Sequence, residues 1–117
     1  MTYVDGFIIP VHADNREKYR AMAALCAPIF KKHGALSVVE CWADDVPEGK
    51  VTSFPMAVKV DPGEEVVFSW ITWPSRKVRD EGNKKAMEEL HGIASQEDVP
   101  FDGKRMIFGG FEVIVEE

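Results

Sequence analysis

Residues 66–80, VVFSWITWPSRKVRD, carry a strand and the start of a helix, and the strand is apolar at both parities. Val66, Phe68 and Trp70 fall on one side, Val67, Ile71 and Trp73 on the other, so both faces of the sheet it joins are expected to be buried. Ser75 is placed to cap the helix that follows, yet Arg76, Lys77 and Arg79 occupy its first turn. That end of a helix exposes unpaired N–H groups and partial positive charge, which bases oppose. Either these bases turn away to pair with Asp80 and Glu81, or they gather positive charge to hold an anion.

The rest of the chain is read outward from this stretch. Tyr3–Val11, YVDGFIIPV, is rich in aromatic and β-branched residues and predicts a strand. Asp14 opens a helix with Glu17 three residues on, as in a capping box. Tyr19, Met22, Ala23, Cys26, Ile29 and Phe30 form its apolar stripe, with Pro28 expected to disturb a turn and Gly34 to end it. Leu36–Ala43 is a second strand, followed by a loop of turn formers. Met56–Val60 and Glu65–Trp73 are read as two strands flanking Asp61-Pro62-Gly63-Glu64, a type II turn and a hairpin. The second helix carries Val78, Gly82, Ala86, Met87, Leu90 and Ala94 on one side. PFDGK at 100–104 turns the chain into a last strand, Arg105–Val115.

This order predicts one α+β domain over residues 1–117, a ferredoxin-like sandwich whose antiparallel sheet carries two helices on one face. Met56–Val60 is one strand more than that plan needs; an edge addition is one position for it, and pattern alone does not place it. With no third helix to cover the remaining apolar face, a second copy is expected to cover it, giving a homodimer closed as a dimeric α/β barrel.

Composition narrows the function classes. The 117 residues are 45 % apolar and 29 % charged, ordinary for a globular domain, with no apolar run long enough to span a membrane. Strand residues begin almost at once, so a signal peptide is not read there and the cytoplasm is the expected compartment. Twenty acids against fourteen bases leave a net charge of −6, the wrong sign for a phosphate-binding surface, and no nucleic-acid partner is expected. Cys26 and Cys41 are too few and too far apart for a zinc motif, and His12, His33 and His91 have no metal-ligand spacing. Asp44, Asp45 and Glu48 lack the alternating ligands of a calcium loop and are read as turn residues. No metal and no cofactor is expected. Gly109-Gly110 lies within a strand and is read as a bulge or close backbone approach, not a phosphate loop.

Three carboxylates, Asp5, Glu40 and Glu112, sit on otherwise apolar strand faces, where a carboxylate kept from water must pair or stay protonated. Asp5 and Glu40 are the candidate acid–base residues. Glu112 is read as paired or solvated at the rim. Trp42 and Trp70, with Phe54 and Phe68, are candidates to line a pocket for a flat organic ligand, and at least one of the two tryptophans is expected on the open face. Arg76, Arg79 and Arg105 are the candidate anion receptors.

The runs YVDGF, VVECWADDVP, GKVTSFPMAV, VVFSWITWPSRKVRD and PFDGKRMIFGGF resemble the uncharacterised bacterial YbaA-like family across nearly the whole chain. The resemblance implies a ferredoxin-like dimeric α/β barrel, in a superfamily that also holds antibiotic-biosynthesis monooxygenases, haem-degrading oxygenases and YciI-like proteins. It implies no established activity, and the histidine–aspartate pair of YciI-like proteins has no clear match here. Two functions from different classes follow. One is a binding protein whose barrel holds a small, largely apolar organic molecule with an anionic end. The alternative is a cofactor-independent oxygenase or isomerase with Glu40 or Asp5 as base. A third reading uses the acidic 44–48 loop to bind a protein partner.

Overall fold

The computed structural model describes residues 2–92 and 99–117. The long elements are β1 (Tyr3–His12), α1 (Arg16–Lys32), β2 (Ser37–Trp42), β3 (Glu64–Trp73), α3 (Arg76–His91) and β4 (Ile107–Glu112), with a short helix α2 (Phe54–Ala57) between β2 and β3. The four strands form one sheet in the order β2-β3-β1-β4, every pair antiparallel. Strands and long helices thus follow the expected β-α-β-β-α-β order.

Alternation along the strands sorts the side chains. Ile9, Val11 and Val67 meet Tyr19 and Ala23 of α1, and Ile71 and Trp73 pack with Ala35, Val78 and Phe30. Both long helices therefore cover the face that carries Asp5, Glu40, Ser69 and Trp73. Trp73 is fully buried there, with Gly82 of α3 beneath its ring: a Cβ on Gly82 would lie 2.6 Å from Trp73 Cζ3 and collide with the His33 carbonyl. Gly82, which weakens the helical pattern on paper, is what lets α3 approach α1 and the sheet.

Several expectations are corrected. Met56–Val60 is not a strand: Ser53 accepts from the Met56 N–H, Pro55 lies in the first turn, and Phe54–Ala57 is a capped turn of helix. The 61–64 turn does form, with Gly63 at φ 86 and a 3.0 Å bond from Glu64 N to Asp61 O, but it joins this helix to β3 and closes no hairpin. The open face is accordingly covered at one end by α2, whose Phe54 ring lies 5.9 Å from that of Phe68. The capping box at Asp14 is absent too. His12 Nδ1 accepts from Asp14 N, Ala13–Asn15 makes a 3₁₀ turn, and Glu17 binds Arg20. α1 runs unbroken across Pro28 and ends at Gly34, φ 113. β4 stops at Glu112, short of the expected Val115. Ala94 lies outside the described residues.

Candidate functional site

The misplaced charge at the start of α3 is resolved by carboxylates of the chain itself. Ser75 caps the helix, accepting from Val78 N at 3.2 Å. Arg79 reaches back to the sheet, its Nε 3.0 Å from Asp5 Oδ1 and its Nη1 2.7 Å from Asp80, while its guanidinium lies 5.1 Å from the centre of the Tyr3 ring. Trp73 Nε1 donates to the other Asp5 oxygen at 3.0 Å. Gly110, paired with Asp5 across β1 and β4, leaves the room this arginine needs: a Cβ there would overlap Arg79 and Tyr3. Asp5 is thus a buried, fully partnered carboxylate, the wrong condition for a base that must accept a proton.

Arg105 is committed as well. It forks onto both oxygens of Glu64 at 2.6 and 2.8 Å, and its Nε donates to Asp102 at 2.9 Å. Its Nη1 also donates at 2.9 Å to the carbonyl of Lys59, a residue in the left-handed region (φ 49). It staples the 102–105 turn to the start of β3. Arg76 is exposed and faces Asp80 at 3.7 Å. Arg79 and Arg105, expected as anion receptors, are each engaged by two carboxylates of the chain itself, Asp5 and Asp80 for the one and Glu64 and Asp102 for the other. Glu112 is exposed at the edge of β4, beside Thr2, Ser75 and Arg76.

Glu40 stands in a different setting. Opposite Ser69 on the covered face, its Oε2 accepts a 2.7 Å hydrogen bond from the Tyr19 hydroxyl of α1. Solvent reaches one side of Glu40, but the protein packed around it is enough to push its pKa up, against the hydroxyls of Tyr19 and Ser69, which favour the ionised form. Tyr19 is itself pushed upward by burial and by the charge of Glu40, so it stays a donor. Burial, with the charge of Glu40, also raises the Cys26 thiol nearby, which disfavours its thiolate.

Two hollows meet at this pair. A largely apolar cavity of 140 Å³ between α1 and the sheet is lined by Phe7, Met22, Phe30, Ile71, Phe101 and Met106, and an adjoining groove of 240 Å³ by Arg16, Arg20, Trp42 and Val67; both open to solvent, and Tyr19 and Glu40 line both. Trp42 lies under the guanidinium of Arg16, 5.4 Å from its ring centre. Glu40 and Trp42 are thus brought together. Trp70 is on the opposite face, beside Phe68 at 5.5 Å, and Asp5, Arg76 and Arg105 belong to other clusters.

Arg16, Tyr19, Arg20 and Phe101 were missed as site residues. Tyr19 reads in sequence as one more member of an apolar stripe, and its hydroxyl is the clue. Arg16 and Arg20 flank it at i and i+4 on one side of the helix. Phe101 reaches the cavity from a turn, where no periodicity announces it. Among the described residues no cluster of His, Cys, Asp and Glu is arranged to hold a metal, and no helix is long and apolar enough to cross a membrane.

The family model described as a protein of unknown function, DUF1428, matches residues 2–103. The chain belongs to the DUF1428 family. The chain is also similar to the uncharacterized protein YbaA of Escherichia coli K12 and of Shigella flexneri, each 59 % identical over 117 residues, 100 % of this chain and of theirs. The structure of Rv0793 from Mycobacterium tuberculosis is similar to this DUF1428 chain with a TM-score of 0.54 at 15 % identity, covering 99 % of this chain and 98 % of that one. That likeness bears on the α+β fold alone.

Proposed function

We propose that the protein binds a small, largely apolar organic molecule in the space between α1 and the sheet, with the Tyr19–Glu40 pair as its polar handle. The observation that carries this reading is that one hydrogen-bonded acid–phenol pair lines both an apolar cavity and an open groove. Such convergence of a few polar groups in an apolar hollow is the usual form of a ligand site. A thermal-shift screen against a metabolite panel tests it. A compound at a hundred times its dissociation constant adds about 2.7 kcal/mol of stability. A panel in which nothing raises the melting temperature of the wild type overturns the reading.

The raised pKa of Glu40 favours a second reading, a cofactor-independent oxygenase or isomerase with Glu40 as general base. Asp5 is not part of it, since its ion pair with Arg79 occupies the carboxylate. Turnover of a screened ligand that is unchanged in Glu40→Gln removes this alternative.

The working unit is proposed to be a ferredoxin-like homodimer closed as a dimeric α/β barrel. Its support is the open sheet face, where Phe68, Ile107 and Phe111 remain exposed around a shallow apolar groove. The cytoplasm is the proposed compartment, in keeping with two unpaired cysteines. Recovery of the native protein from periplasmic extract would overturn that placement.

A further inference from the structure

The two hollows at Glu40 differ in chemistry, and their order defines the shape of a molecule that fills both. The cavity between α1 and the sheet is walled by Phe7, Met22, Phe30, Ile71, Phe101 and Met106, and its polar lining consists of Tyr19, Glu40, Ser69 and the Cys26 thiol. Its 140 Å³ is close to the size that admits a single benzene ring, about 150 Å³ in an engineered apolar cavity. The next group outward is Glu40. An ionised carboxylate accepts only, and Tyr19 supplies one donor to Oε2. Ser69 opposite offers a second hydroxyl. Glu40 lines both hollows, so a ligand spanning them passes its carboxylate, and a hydroxyl or ammonium on the ligand can pair with it there.

Farther out stands Arg16. Among the described residues no carboxylate lies within ion-pair distance of it, whereas Arg20 beside it is bound to Glu17. The Trp42 face under Arg16 holds the guanidinium in place by cation–π attraction. A planar fork of donors held at the mouth of a groove, with no carboxylate on it, matches a carboxylate bidentately.

We propose, resting on the ligand-site reading above, that the ligand is an organic acid with a ring-sized apolar group at one end, a carboxylate at the other, and a hydroxyl or ammonium between them. The apolar group fills the apolar cavity, the central donor meets Glu40, and the carboxylate meets Arg16 in the adjoining groove. An acid lacking the central donor leaves Glu40 partly desolvated and unpaired. An alcohol lacking the carboxylate forfeits the Arg16 contact.

Isothermal titration of the full chain with four probes tests this. 3-Phenyllactate and phenylalanine carry all three parts, 3-phenylpropionate lacks the donor, and 2-phenylethanol lacks the carboxylate. At least one of the first two is expected to bind about tenfold or more tighter than either incomplete probe, the factor a charge-assisted hydrogen bond brings. Which of the two is tighter identifies a hydroxyl or an ammonium as the donor. Arg16→Gln is expected to abolish the advantage over 2-phenylethanol while leaving 2-phenylethanol itself unaffected. Glu40→Gln is expected to narrow the advantage over 3-phenylpropionate. Circular dichroism of both variants reports that they are folded. Equal binding of all four probes, or an Arg16→Gln loss that falls equally on acid and alcohol, overturns this ligand class and leaves the cavity reading standing. Absence of binding by every probe overturns the class. If the wider metabolite panel is also silent, the cavity reading falls with it.

Discussion

Asp5 and Glu40 share the covered face of the sheet, and their neighbours give them opposite characters. Asp5 has a guanidinium and an indole N–H within 3.0 Å, with side-chain exposures of only 9 % for Asp5 and 22 % for Arg79. Asp5→Asn leaves Arg79 partly buried with one carboxylate, Asp80, in place of two, and is expected to cost about 3 kcal/mol, the range for breaking such a pair. A fall in the urea midpoint at constant slope measures it; a loss below 1 kcal/mol would show the pair to be solvated. Glu40 behaves in the other sense. Its folded pKa lies above the unfolded one, so the native state binds its proton more tightly. The corresponding stability is full below the ordinary glutamate value of about 4.3 and declines as pH rises through the folded value. Relative to Glu40→Gln, the wild type should therefore lose stability on going from acid towards neutral pH across that window. Tyr19→Phe removes a bond that favours the charged form and should move the Glu40 titration, followed by carboxyl carbon NMR, further upward. A downward move would contradict the pairing. Strand parity alone grouped Asp5 with Tyr3, Phe7 and Ile9, and Glu40 with Trp42. It did not reveal which carboxylate acquires a guanidinium, because Arg79 arrives from 74 residues away.

At the level of elements, close approach outweighs local preference. Gly82 lies in the interior of α3, where alanine is the better helix former by about 1 kcal/mol. Yet a methyl there would meet the Trp73 ring and the backbone of His33, neither of which has room to yield. Gly82→Ala is expected to destabilise by about 1–3 kcal/mol despite the propensity gain, as overpacking does, and a thermal melt that rises would refute the packing argument. The same contest explains where sequence reading of elements succeeded and where it did not. The long strands and α3 announce themselves by period and by the Ser75 cap. α2 was hidden because Met56–Val60 is apolar and β-branched in part, although Ser53 followed by Pro55 already held the signature of a helix start. At α1, a short Asp14 side chain competed with His12 for the turn, and the imidazole took it. β4 ends early because its pairing with β1 runs out at Tyr3, after which Val113 N, bonded to Thr2 O, and the Thr2 hydroxyl, donating to Glu116, continue the contact.

For the whole molecule, the sheet has one face closed by α1 and α3, and the other closed only in part. Pro10 and Val66, paired across β1 and β3, are buried on the second face, while Phe68 is 45 % and Phe111 60 % exposed farther along it. That division was legible in sequence as strands apolar at both parities; the partial cover by α2 was not, since it depended on recognising that helix. An exposed aromatic patch of this kind marks a surface that gains free energy by being covered. A second copy laid face to face would bury Phe68, Ile107 and Phe111 from both chains around a two-fold axis, with roughly 1,200 Å² or more of contact required for a stable pair. The proposed homodimer is thus expected to sediment as a dimer at micromolar concentration. Phe111→Asp places a carboxylate against its own symmetry mate in that interface and should yield monomers that keep the native circular dichroism, because Phe111 contributes little to the closed side of the sheet. A wild type that sediments as a monomer would mean that the open face is left to another partner, and a Phe111→Asp variant that stays dimeric would put the interface elsewhere on the molecule.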